Sequence, residues 1–114
     1  MSLRDKIQAT DDTQKEVVNI KVWDADIEVR SLTGMARASL MTKSMDKEGK
    51  VIQEQFHQGL VVNTCFDPET GDQLFTLDDT WLMEKNASAI EKLVAAAMRV
   101  SGLAVGDVED AEKN

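Results

Sequence analysis

The stretch Cys65 to Leu103, CFDPETGDQLFTLDDTWLMEKNASAIEKLVAAAMRVSGL, holds the chain's only proline, a turn signal, two capped helix starts and the longest helical pattern. Its final part is the clearest. With Ser88 as N-cap, Glu91 stands at the third helical position, a capping box in which the hydroxyl accepts one backbone N–H and the carboxylate reaches back to another. Downstream, Ala87, Ile90, Leu93, Val94, Ala97, Met98 and Ser101 recur at the spacings that put side chains on one helical face. Gly102 follows the last periodic residue, where positive φ closes a helix.

Working upstream, Thr76-Leu77-Asp78-Asp79 reads as a second cap with acids at the positive end of a helix dipole, predicting a short helix to Lys85 that Asn86 ends. In that helix Trp81 lies over Leu77, while Leu82 and Met83 project to different sides, more than one small core would bury. Asp67-Pro68-Glu69-Thr70 has aspartate and proline at the first two positions of a type I turn, with Gly71 next, so the chain reverses there. Gln73 to Phe75 reads as briefly extended.

Before Cys65, residues 51–66 gather Ile52, Phe56, Gly59, Leu60, Val62, Asn63 and Phe66 on one side of a helix, where Gly59 would admit a close neighbour. The run GLVVNTCF also fits a buried strand, and the helix-friendly QEQFHQ upstream favours the helix. Ser31 or Thr33 caps an expected helix to about Met45, with Leu32, Met35, Ala38, Met41, Thr42 and Met45 on a broad face and Leu40 off it, exposed to solvent. SMDKEGK then forms a charged loop. From Glu16, EVVNIKVWDADIEVR alternates: Val18, Ile20 and Val22 share a face and the pattern resumes at Ile27 and Val29, a β-hairpin turning near Asp24-Ala25. Asp-Ala is a poor two-residue turn because alanine disfavours positive φ, so a longer loop is compatible. The fold expected is α+β and mainly α-helical: an N-terminal β-hairpin followed by a small bundle of about four helices. Residues 1–15 read as a flexible lead-in, 16–103 as one folded domain and 104–114 as an acidic flexible tail.

The chain has 114 residues, enough for a single modest core, and only two Trp, three Phe and no Tyr, so that core draws on aliphatics and six Met. No apolar run approaches the length of a membrane span and no signal-peptide pattern opens the chain, which points to a cytoplasmic protein with no membrane partner. One cysteine forms no internal disulfide. Residues 1–50 carry nine basic and nine acidic side chains and residues 51–114 carry four and twelve, so the net charge of -8 lies in the second half. That half repels phosphate, and no basic stripe with aromatics occurs; nucleic acid is a poor partner.

Chemistry-bearing groups are sparse. His57 and Cys65, eight residues apart on a helix, would lie roughly 12 Å apart and could share neither a metal nor a proton. DPETGDQLFTLD has aspartate at the first and twelfth positions of a calcium loop, but Gly71 takes a ligand position and Asp72 the required glycine position. No nucleotide, hydrolase or zinc motif is present, and Asp78 and Asp79 read as helix-dipole partners. The expectation is no enzyme, no cofactor and no metal: a small acidic binding or assembly module.

The hairpin, VRSLTGMARASL, the run VVNTCFDPETGDQLFTLDDTWLMEKNASAIEKLVAAAMRVSGL and the acidic end together resemble the tail assembly chaperones of long-tailed bacteriophages, over about residues 16–112. The most specific parts are Asp67 to Phe75, Trp81-Leu82-Met83-Glu84-Lys85 and Ser101-Gly102-Leu103. The resemblance implies a non-catalytic cytoplasmic protein of phage or prophage morphogenesis that binds the helical tape measure protein, keeps it soluble, helps recruit tail-tube subunits and is absent from the mature virion. It also implies a longer product made by programmed frameshift, for which Glu112-Lys113-Asn114 can encode a slippery A AAA AAY heptamer. An apolar groove for the tape measure helix would use Leu40, Trp81, Leu82 and Met83. Surplus apolar residues would also favour a homo-oligomer, against the repulsion of the acidic charge. The alternatives are a structural phage tail or connector subunit, retained in finished particles, and an unrelated acidic intracellular adaptor.

Overall fold

The computed structural model describes residues 2–103. The order of elements is α1 (Leu3–Ala9), β1 (Lys15–Ile20), β2 (Ala25–Arg30), α2 (Gly34–Lys43), α3 (Gln53–Thr64), β3 (Cys65–Phe66) and α4 (Ala87–Val100). The fold is α+β and mainly helical, as the patterning predicts. β1 and β2 form the antiparallel hairpin, and β3 adds to the far edge of β2 through Glu28 opposite Phe66 and Val29 opposite Cys65.

The sheet has one buried face because its alternation is strict. Val18, Ile20, Ile27 and Val29 are buried among Phe56, Leu60, Leu82, Ile90 and Leu93 of the core. α4 packs on β1 and β2, α3 packs beside α4 and also touches β2, and α2 lies against α3. Polar edges fasten the layers. Lys92 Nζ donates to the Asn19 carbonyl at 2.7 Å, and Arg99 pairs with Glu16 at 2.8 Å. At the other end, Leu32 N–H donates to Ser101 Oγ at 3.1 Å.

Where the structure departs from the sequence reading, the cause is local. Ile20 pairs with Ala25, so four residues join the strands. Lys21–Trp23 wind one 3-10 turn and Asp24 takes the left-handed conformation at φ 47°, which aspartate tolerates better than alanine. Val22 thereby leaves the strand and is 66 % exposed, not inward-facing. The expected lead-in contains α1, capped by reciprocal Ser2 and Asp5 bonds, with no buried residue.

The expected helix from Thr76 to Lys85 does not form. Asp79 Oδ2 accepts the Thr76 N–H at 2.8 Å as a cap would, yet only turns follow, ending in a 3-10 turn at Leu82–Glu84. This path buries both Phe75 and Leu82 and leaves Leu77 and Trp81 exposed. Asn86, freed from ending that helix, caps α4: its Oδ1 accepts the Ala89 N–H at 3.1 Å. Ser88 stands exposed in the first turn instead of capping. At the far end Gly102 has φ +67°, and Leu103 N–H reaches the Met98 carbonyl at 2.8 Å, the closure expected there. Residues 51–66 combine both alternatives, a helix to Thr64 and then β3. The acidic tail and its slippery codons lie outside the described residues.

Candidate functional site

α2 is capped by Thr33, whose Oγ1 accepts the Ala36 N–H, but it turns a different side to the core from the one its methionines suggest. Met35 is 85 % exposed while Leu40 is buried. A Cβ at Gly59 of α3 would collide with Leu40 Cδ1, so it is the missing side chain at Gly59 that lets Leu40 enter. Leu40 is therefore a core residue, and its expected solvent exposure is corrected.

Above this contact α2 and α3 leave a groove of about 410 Å³ lined by Leu40, Ser44, Gln58, Gly59 and Val62, with Leu77 at its margin. Ser44 and Thr64 are the buried polar side chains among the described residues, and Thr64 Oγ1 donates to the Leu60 carbonyl at 2.7 Å. The groove is thus an amphipathic trough with few fixed charges.

The Trp81-Leu82-Met83 run is sorted by the turns that carry it. Leu82 is fully buried and Met83 packs against the core, so neither Leu82 nor Leu40 offers a free surface. Trp81 does: it is 45 % exposed, with its ring edge-on to Phe75 at 6.0 Å and Lys85 Nζ 5.7 Å from its centroid. Sequence reasoning missed Leu74 and Leu77, which are exposed on the same irregular segment. The signal was present in QLFTL, where the apolar residues exceed what one buried Phe75 position requires. Residues 74–81 straddle two concavities, Leu77 at the α2–α3 groove and Leu74 at a second groove beneath the hairpin tip.

That second groove, of about 680 Å³, lies between the β1–β2 turn and the loop after β3. The loop is fixed by Asp67, whose Oδ1 accepts the Glu69 and Thr70 N–H groups, and by Gln73 Nε2 donating to the Val62 carbonyl at 2.7 Å. Gly71 takes φ +78° at its tip. Asp67 is thus engaged in its own turn, not presented as the first ligand of a calcium loop.

No family model, curated protein or solved structure matches the chain. The geometry must carry the functional argument.

Cys65 is buried, and desolvation pushes its thiol up to about 12, with the neighbouring Thr64 hydroxyl partly opposing the shift. It stays protonated at neutral pH and is a poor nucleophile there. Partial burial lowers the His57 pKa, opposed by the Glu91 carboxylate. Among the described residues no three His, Cys, Asp or Glu side chains converge as a metal site, and no helix is long and apolar enough to cross a membrane. What the described surface does present is apolar area on an irregular segment flanked by two grooves, an arrangement suited to holding another polypeptide.

Proposed function

We propose that the chain is a non-catalytic phage tail assembly chaperone that binds the tape measure protein, keeps it soluble and hands it to tail-tube subunits in the host cytoplasm. The observation that carries this reading is the exposure of Trp81 and Leu77 on one irregular segment, of which Leu77 lines the α2–α3 groove. An exposed large aromatic is a common anchor for an amphipathic helix, and an amphipathic trough on the same molecule suits one; a tape measure protein offers a long succession of such helices. The sequence resemblance over residues 16–112 supports the same partner. Relative to the surface expected from sequence, Trp81 stays, Met83 packs against the core, and Leu77 replaces the buried Leu40 and Leu82 as the second contact.

The test is co-expression with the cognate tape measure protein, reading the soluble fraction of the latter. Wild-type chain should hold it in solution, and the Trp81→Ala, Leu77→Ser double variant should release it while its own melting stays close to wild type. A tape measure protein equally insoluble with and without the wild-type chain would overturn the proposal. Mass spectrometry of purified phage particles separates a chaperone, missing from them, from a structural tail subunit, retained in them.

A further inference from the structure

We propose that the groove beneath the hairpin tip is a second docking site, for a lysine- or arginine-bearing polypeptide segment with a bulky apolar side chain. Its floor is apolar, formed by Val17, Trp23, Leu74 and Phe75. Its rim carries Asp24, Asp26, Asp67 and Glu69, and no basic residue lines it. None of these four carboxylates is ion-paired with a described residue: Asp26 Oδ1 accepts from Asn19 Nδ2 at 2.8 Å and Asp67 Oδ1 from backbone N–H groups. The nearby Arg30 is engaged outside the groove, bound to Glu28 at 2.7 Å and stacked 4.0 Å over the Phe66 ring.

Four carboxylates around one depression make the local potential negative and favour a cationic occupant. The floor selects which cation. A bare metal ion or small polyamine would leave Trp23, Leu74 and Val17 wet, whereas the methylene stem of lysine or arginine covers apolar surface while its head meets the carboxylates. The half-buried Trp23 adds a ring to which a cation is attracted. The volume accommodates several side chains, so the occupant is a segment of chain. This site stands apart from the α2–α3 groove and does not depend on the tail assembly reading.

The probe is a synthetic peptide of alternating lysine and leucine, titrated calorimetrically into the full chain, with a glutamate–leucine peptide for comparison. One-to-one binding of the basic peptide alone is expected. Asp26→Asn with Glu69→Gln should weaken it about five- to tenfold, as two exposed charge pairs would. Glu48→Gln with Glu54→Gln makes the same change in net charge outside the groove and should leave affinity within about twofold. Circular dichroism checks each fold; if Asp26→Asn perturbs it, Glu69→Gln alone should still weaken binding about two- to threefold. Equal weakening by the two double variants would reduce the attraction to bulk charge and overturn the proposal. So would no binding, no effect of the rim substitutions, or equal binding of the acidic peptide.

Discussion

Leu40 of α2 occupies the space that a side chain at Gly59 of α3 would fill. The two helices therefore meet in part through a leucine seated on bare backbone, alongside Met41 packed against the core and the buried Ser44. Gly59→Ala should destabilise the protein by about 1–2 kcal/mol, because overpacking outweighs the gain in helix propensity. In a Leu40→Ala background the clash disappears, and the same substitution should stabilise by up to about 1 kcal/mol through propensity alone. Urea denaturation of the four chains in this cycle measures the coupling, and additive effects would show that Leu40 does not hold α2 in place.

The start of α4 separates two caps that differ by two residues. Asn86 accepts the Ala89 N–H, whereas Ser88 is exposed within the first turn. Asn86→Ala should cost about 1 kcal/mol and Ser88→Ala only a few tenths. Thermal melts of the two variants decide it, and the reverse order would move the helix start to the position first read from sequence.

Leu82 and Trp81 are adjacent in sequence and opposite in environment. Leu82→Ala should destabilise by about 2–5 kcal/mol because its side chain is fully buried. Trp81→Ala should cost much less, since nearly half of the side chain is already in water, and its larger effect should fall on partner binding. Chemical denaturation and a solubilisation assay on both variants should show stability and binding responding to different residues of the same tripeptide.

The buried thiol of Cys65 gives the stability a measurable alkaline dependence. Its pKa rises from 9.0 to about 12 on folding, so above about pH 9 the unfolded thiol loses its proton while the folded one keeps it. The native state then binds more protons than the unfolded state, and stability falls as pH rises between these values. Compared with wild type, Cys65→Ala should lose less stability between neutral pH and pH about 10. Alkylation by iodoacetamide at neutral pH should be slow in the folded protein and rapid in denaturant.

Local pattern by itself determined the hairpin, α2, the reversal at Asp67–Gly71 and the amphipathic α4, because each rests on spacing or turn chemistry contained within a few residues, whereas for residues 59–66 it left helix and strand both open. Val18, Ile20, Ile27 and Val29 alternate, and the sheet has no other way to bury them. Gly102 ends α4 because little else takes φ +67° cheaply. Other features turn on competition between segments, and only the tertiary structure decided those. Thr76–Asp79 carries a sound cap, yet only turns follow it, with Phe75 and Leu82 both buried, and Asn86 caps α4 instead of ending a helix. Of the face read from sequence, Leu32 and Met41 pack against the core while Met35 lies in solvent, and the vacancy at Gly59 admits Leu40, which the pattern had placed outside. For the candidate surface, sequence singled out Trp81, Leu82 and Met83, and tertiary packing leaves Trp81 as the exposed one of the three. The acidic groove joins residues from the hairpin, such as Val17 and Asp26, to the distant Asp67 and Leu74, and no local pattern encodes that meeting.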